Sequence, residues 1–192
     1  MNEANTKKVQ NHMKRQLWGL MFAKHAFSDT KRVAELHIKH GCHSEHELHY
    51  PLVSSMAITY AKPFTKCGTI PKLPKHYSQF SDPSLKLVHE TVIKCRHEFY
   101  AHSDATALKP LKMLVRVEEG MLNAKVQSQD RGLSALVIQP LIKLCEIQLE
   151  RIEKDCGVLV QKLYPQDVLR RVLRAEMSTM TVIEIFWPKR DD

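Results

Sequence analysis

Glycine is scarce in this chain, with six residues in 192. So little glycine argues against a turn-rich all-β fold, and a hydrophobic content of 43% is that of a globular protein. No uninterrupted apolar run approaches the length of a membrane span. Met1 to Lys8 lacks the apolar core of a secretion signal. The expectation is a soluble, cytoplasmic protein without a membrane partner. The five cysteines, Cys42, Cys67, Cys95, Cys145 and Cys156, are odd in number and form no C-x-x-C pair. That pattern excludes a disulfide framework and reads as reduced thiols. A phosphate-cradling glycine loop, a G-x-S-x-G elbow and an H-E-x-x-H zinc helix are all missing. Glu90, Glu98 and Asp104 are too scattered to form a magnesium cluster. Internal repeats and low-complexity tracts are absent as well.

What the chain has is positive charge and helical periodicity. Lys+Arg 29 against Asp+Glu 21 leaves +8, which favours polyanionic partners: nucleic acid, nucleotides or an anionic membrane surface. Its length suits one domain, 1–192, with a core large enough to need no cross-links. Val9, Met13, Leu17, Leu20, Met21 and Phe22 lie at helical spacing and predict a helix over about 6–27. Ser28 or Asp29 then looks like the cap of a short helix carrying Val33, Leu36 and Ile38 and closed by Gly41. Ser44 and Glu47 have capping-box spacing for a helix reaching about Tyr60, with Pro51 either kinking it or marking its true start. Five prolines or glycines between Lys62 and Pro83 forbid a long regular element there, although Phe64, Ile70, Leu73, Tyr77 and Phe80 predict that it packs over the helices. Ser81 or Asp82 followed by Pro83 opens a central helix.

Alternation from Leu111 to Val117, a turn at Glu119-Gly120 and an extended pattern to Val126 predict a small β-hairpin at about 110–127. A long helix follows over Arg131 to Leu163, with Pro140 tolerable near its first turns and Gly157 and Pro165 punctuating its end. Pro165 to Glu176 is a basic amphipathic helix, and Thr179 to Trp187 suits either a strand or an extension of that helix. Histidines recur at 37, 40, 43, 46 and 49 around Cys42. His43, His46 and Cys42 have the chemistry for zinc, yet no zinc-family spacing is present. The preferred reading is a solvated, partly capping histidine run, with no metal and no cofactor. The basic stripes Lys7 to Arg15 and Arg170 to Arg174 suit either a solvated face or a phosphate backbone, with Tyr60, Phe64 and Tyr77 available for stacking.

Chemistry concentrates in Arg96-His97-Glu98-Phe99-Tyr100-Ala101-His102-Ser103-Asp104. Upstream, Leu85, Val88, Val92, Cys95 and Phe99 mark one helix face. At about 100° per residue, Arg96 and His102 fall roughly 60° to either side of the stripe centred on Phe99. Both side chains therefore straddle the buried face, where a guanidinium can neutralise a phosphate and an imidazole can move a proton. The same residues also suit a structural role: Arg96 covering the core with its stem, His102 capping the last turn and Asp104 starting a loop.

Arg96, five intervening residues and His102 resemble the R-x(4–6)-H signature of the HEPN superfamily of helical ribonucleases. Tyr60-Ala61-Lys62-Pro63-Phe64 upstream and Tyr100-Ala101-His102-Ser103-Asp104 at the motif are similar to the "YA(R/K)PF" and "R…YAHSD" segments of its abortive-infection and toxin branch. The resemblance is strongest over 50–105. It implies a mainly α, antiparallel helical bundle, into which the hairpin read from the alternation at 110–127 would be inserted after the motif helix. It also implies a homodimer in which two motifs face one shared cleft, and a partner such as an antitoxin. The activity implied is metal-independent RNA cleavage by attack of the ribose 2′-hydroxyl on the neighbouring phosphate. His102 would then be the general acid/base and Arg96 would stabilise the phosphorane. His97 stands where the family commonly has a small polar residue, and Tyr100 and Asp104 would support the site. Lys62, Lys66, Arg170, Arg171 and Arg174 are candidates for contacting RNA. The alternative is a non-catalytic helical module that binds nucleic acid, nucleotide or a partner protein.

Overall fold

A single long helix organises the protein. In the computed structural model, which describes residues 3–43, 46–65, 68–97, 112–118, 121–127, 133 and 135–164, α1 runs unbroken over Glu3–Lys39. The break expected at Ser28-Asp29 is absent. Asp29 instead pairs with Arg32 one turn later at 3.1 Å, and Thr30 bonds back to the Ala26 carbonyl at 2.8 Å, so local polar side chains are absorbed by the helix. The buried face is also richer in small residues than the long apolar side chains indicate. Leu20, Ala23, Phe27, Thr30, Ala34 and His37 are buried, whereas Val9 and Met21 are exposed. Alanine on this stripe allows neighbouring helices to approach closely.

The helix ends in a paired turn: Cys42 N–H reaches the His37 carbonyl at 3.1 Å and Gly41 N–H the Ile38 carbonyl at 3.0 Å. This is a Schellman arrangement, and it requires the left-handed backbone that Gly41 adopts with φ of 57°. Helix α2 spans His49–Ala61 and starts after Leu48, which gives no side-chain cap; Ser44 of the expected capping box lies outside the described residues. Pro51 lies in the first turn, where its missing N–H costs no helical bond. A 3₁₀ turn, Lys62–Phe64, continues directly from α2.

A second 3₁₀ turn, Lys75–Ser78, interrupts the extended stretch that follows, and Leu73 N–H bonds the Pro63 carbonyl at 2.9 Å. Helix α3, Pro83–Cys95, opens as expected: the Asp82 carboxylate accepts from Ser84 N–H at 2.8 Å, with Pro83 at the first position. Strands β1, Lys112–Glu118, and β2, Met121–Gln127, pair antiparallel with Lys112 opposite Gln127 and Glu118 opposite Met121. Helix α4, Ala135–Leu163, contains Pro140 in its second turn and Gly157 in its interior, so Gly157 does not punctuate its end as expected. The segment 165–192 lies outside the described residues.

The chain is mainly helical, and among the described residues α1 packs against both α2 and α4 while α3 packs on α2 and α4. Phe27 joins these layers: its ring centroid lies 5.3 Å from Tyr60 and 5.8 Å from Phe64. Lys24 with Glu153 at 3.0 Å and Lys31 with Glu146 at 2.7 Å align α1 antiparallel to α4. Exposed pairs of this kind fix register more than they stabilise. No helix among the described residues is long and apolar enough to cross a membrane.

Candidate functional site

Helix α3 carries its buried stripe on Leu85, Val88, His89, Val92 and Cys95. At its end Arg96 and His97 widen into a π-helical turn, a local device that recurs where helices present functional side chains. Arg96 is half-buried and His97 exposed. The Arg96 guanidinium donates to His97 Nδ1 at 3.0 Å. An accepting Nδ1 carries no proton, so the His97 ring presents Nε2–H to solvent. The guanidinium keeps further N–H donors in its fixed fork after this bond, and such a fork matches phosphate geometry. Lys62 is exposed at the start of the first 3₁₀ turn. Tyr100, His102 and Asp104 lie outside the described residues, as do Lys66, Arg170, Arg171 and Arg174.

Beneath Arg96, one heptad earlier on the same face of α3, stands His89. It is buried, and its Nδ1 lies 2.9 Å from the Tyr60 hydroxyl. Phe64 meets its ring edge-on at 4.7 Å between centroids, and Phe80 stands at 5.3 Å. Arg151 of α4 covers the Phe80 ring at 5.2 Å and donates to the Gln79 carbonyl at 3.1 Å. Burial lowers the His89 pKa and raises that of Tyr60 well above the ordinary phenol. The Tyr60–Phe64 segment and the helix leading to Arg96 are thus joined through one imidazole. In the sequence His89 carries no apolar signal, although it occupies a stripe position beside Val88 and seven residues before Arg96.

The expected stacking platform does not form. Tyr60 and Tyr77 are fully buried in the core, so neither ring face is available to a base, and His89 and Phe27 flank Phe64. The histidine run is likewise different from the solvated series expected. His37 Nε2 and His49 Nδ1 face each other at 3.0 Å, both buried, and join the end of α1 to the start of α2. Burial lowers the His37 pKa, and His49 and His46 add to the effect. His46 does cap, accepting the Leu48 N–H at Nδ1 at 3.1 Å, and His40 and His43 are exposed. Among the described residues no group of three His, Cys, Asp or Glu side chains is arranged to hold a metal ion.

Toward the N-terminal half of α1 lies a cavity of about 390 Å³, lined by α1, the stretch Pro71 to His76, and the last turns of α4. Gly19 permits this wall to close: a Cβ there would meet Pro71 Cγ at 2.9 Å and the Pro71 carbonyl at 3.3 Å. Asp155 projects to the cavity, its Oδ2 accepting from the Tyr77 hydroxyl at 2.8 Å and facing His76 Nε2 at 3.3 Å. Comparison with known protein families, curated proteins and solved structures finds no match for this chain.

Proposed function

We propose that this protein is a HEPN-like, metal-independent endoribonuclease. It works as a homodimer and acts as a toxin or phage-defence effector held in check by an antitoxin or other regulatory partner. The observation that carries the reading is the contact between its two motif-bearing segments. Tyr60 bonds His89 at 2.9 Å and Phe64 packs edge-on against the same ring, so the Tyr60–Phe64 segment braces the helix that ends in Arg96. In this reading Arg96 binds the scissile phosphate and stabilises the charge of the phosphorane. His102 removes the 2′-hydroxyl proton and returns one to the leaving 5′-oxygen. His97, bonded to Arg96 at 3.0 Å, aims the guanidinium and offers Nε2–H as a further phosphate donor.

Purified protein incubated with tRNA and mRNA in EDTA tests this directly. Arg96→Ala and His102→Ala are each expected to lower cleavage by about 10²–10⁴-fold, with unchanged circular dichroism and oligomeric mass. Cleavage by His102→Ala at the wild-type rate overturns the mechanism. RNA that is retained with a steep salt dependence but left uncut identifies a non-catalytic binding module instead.

A further inference from the structure

The corner where α1 meets α2 is built from histidines in a way that the chemistry proposed above does not use. His37 Nε2 and His49 Nδ1 face each other at 3.0 Å, with ring centroids 5.2 Å apart and planes inclined at 59°. Only one hydrogen fits between these two nitrogens, so one ring must present a lone pair to the other. At most one of the pair can be an imidazolium while the contact stands. Between them in sequence, His46 Nδ1 accepts the Leu48 N–H at 3.1 Å, just before α2 begins. A protonated Nδ1 cannot make that bond. Cys42 is tied to the same corner: it is 5% exposed, and its N–H reaches the His37 carbonyl at 3.1 Å. Both side-chain contacts that close the corner are therefore lost when its histidines are fully protonated.

Nothing around His37 compensates a positive charge there. It is 2% exposed, and the groups that act on it electrostatically, His49 and His46, both oppose protonation. Glu35 on its own helix pairs with Lys31, and Glu146 of α4 pairs with the same lysine. Lys39, His40, His43 and Glu47 are exposed. Opening the corner also uncovers little apolar surface. Among the described residues from Lys39 to Tyr50, the buried side chains are Cys42 and His49, and the apolar core begins beyond them at Ala34 and Val53. A segment with so few buried apolar contacts opens locally while the core stays folded. We propose that the α1–α2 corner is a proton-operated latch. Acid breaks the His37–His49 contact and the His46 cap, parts the end of α1 from the start of α2 and uncovers the Cys42 thiol, while the core around Phe27 stays packed. The device does not rest on the ribonuclease reading: Arg96→Ala is expected to leave it unchanged.

Thiol labelling of the full chain with 4,4′-dithiodipyridine, read by peptide mapping between about pH 7.5 and about pH 5.5, tests this. The rate at each cysteine is divided by that of the urea-unfolded chain at the same pH, which removes the intrinsic pH dependence of the reaction. Below the ordinary histidine value of 6.5, protection of Cys42 is expected to fall by up to about tenfold per pH unit for each proton taken up. Cys145, fully buried in α4, should stay protected over the same range. Glutamine can place an amide near Nε2 and asparagine near Nδ1, and neither titrates. His37→Gln/His49→Asn should therefore keep the contact and hold Cys42 protected at about pH 5.5. His46→Asn should remove only the share of the slope that belongs to the cap. Hydrogen exchange of the unaltered protein reads the same event independently: amides from His40 to His49 should lose protection in acid ahead of those in α4. Cys42 protection that does not change with pH, Cys42 and Cys145 becoming exposed together, a folded double variant with the wild-type slope, or corner amides that exchange no earlier than those of α4 each overturns the proposal.

Discussion

His89 shows how one side chain links two distant parts of the sequence. Its Nδ1 is served by Tyr60 alone among the described residues, inside a box of Phe64 and Phe80. Removing the hydroxyl strands a buried ring nitrogen, whereas removing both polar groups leaves an apolar contact. Tyr60→Phe is therefore expected to destabilise the protein by about 1–3 kcal/mol in urea unfolding. The double variant Tyr60→Phe/His89→Leu should recover part of that loss, and strict additivity of the two changes would refute the coupling. Gln148 is a second buried polar residue with a divided role. Its amide nitrogen donates to the Tyr77 carbonyl at 2.7 Å, while its Oε1 has no partner among the described residues. The donated bond holds the backbone at Tyr77, whose hydroxyl in turn holds Asp155.

Among the elements, two glycines make opposite predictions. Gly41 closes α1 with φ of 57° and has nothing within 4 Å of a Cβ position. Gly41→Ala should then lower stability by about 1–2 kcal/mol for backbone reasons alone. Gly157 sits inside α4 with equally open surroundings, so Gly157→Ala should raise stability by about 0.5–1 kcal/mol. Thermal unfolding of the two variants beside wild type checks both signs. The same contrast explains what the sequence made legible. The Asp82-Pro83 opening of α3 and the Gly41 ending of α1 are written locally, in residues whose backbone preferences have few alternatives. The continuity of α1 through Ser28-Asp29 is not, because packing of Ala23, Phe27, Thr30 and Ala34 against α2 and α4 overrides a local cap signal. At Gly157 the partly buried Cys156 and Leu159, packed against the core on either side of it, carry the helix through. The site divides in the same way. Arg96 and His97 stand together because they are adjacent in sequence. The partnership of His89 with Tyr60, and that of Asp155 with Tyr77, spans 29 and 78 residues, and no periodicity records such a contact.

For the whole molecule, the buried histidines set an acid limit. His37 and His89 both have pKa values lowered from 6.5, in each case chiefly by burial. In the pH interval below 6.5 the unfolded chain binds protons that the folded chain refuses, so stability rises with pH there. It should be level above 6.5 and decline as pH drops toward the lower folded values. Urea unfolding between about pH 8 and about pH 5 measures this. His37→Phe and His89→Phe should each flatten the acid side of the curve, and a wild-type profile without that slope would contradict neutral burial.

The partnership of α1 with two helices has a consequence for the order of assembly. Its hairpin with α2 closes a short stretch of chain, with His37 and His49 only 12 residues apart. Its junction with α4 joins Lys24 to Glu153 across 129 residues. Loop closure over the longer span costs more entropy and is deferred until local contacts exist to receive it. Refolding should therefore begin with α1 and α2 zipping together around Phe27 and Val53, and α4 should dock onto that template late. Val53→Ala is expected to slow folding, and Ile152→Val to accelerate unfolding with little change in the folding rate. The helix that lines the cavity and ends at the histidine corner would thus be half-clothed through much of the reaction, its α4-facing side the last to leave water.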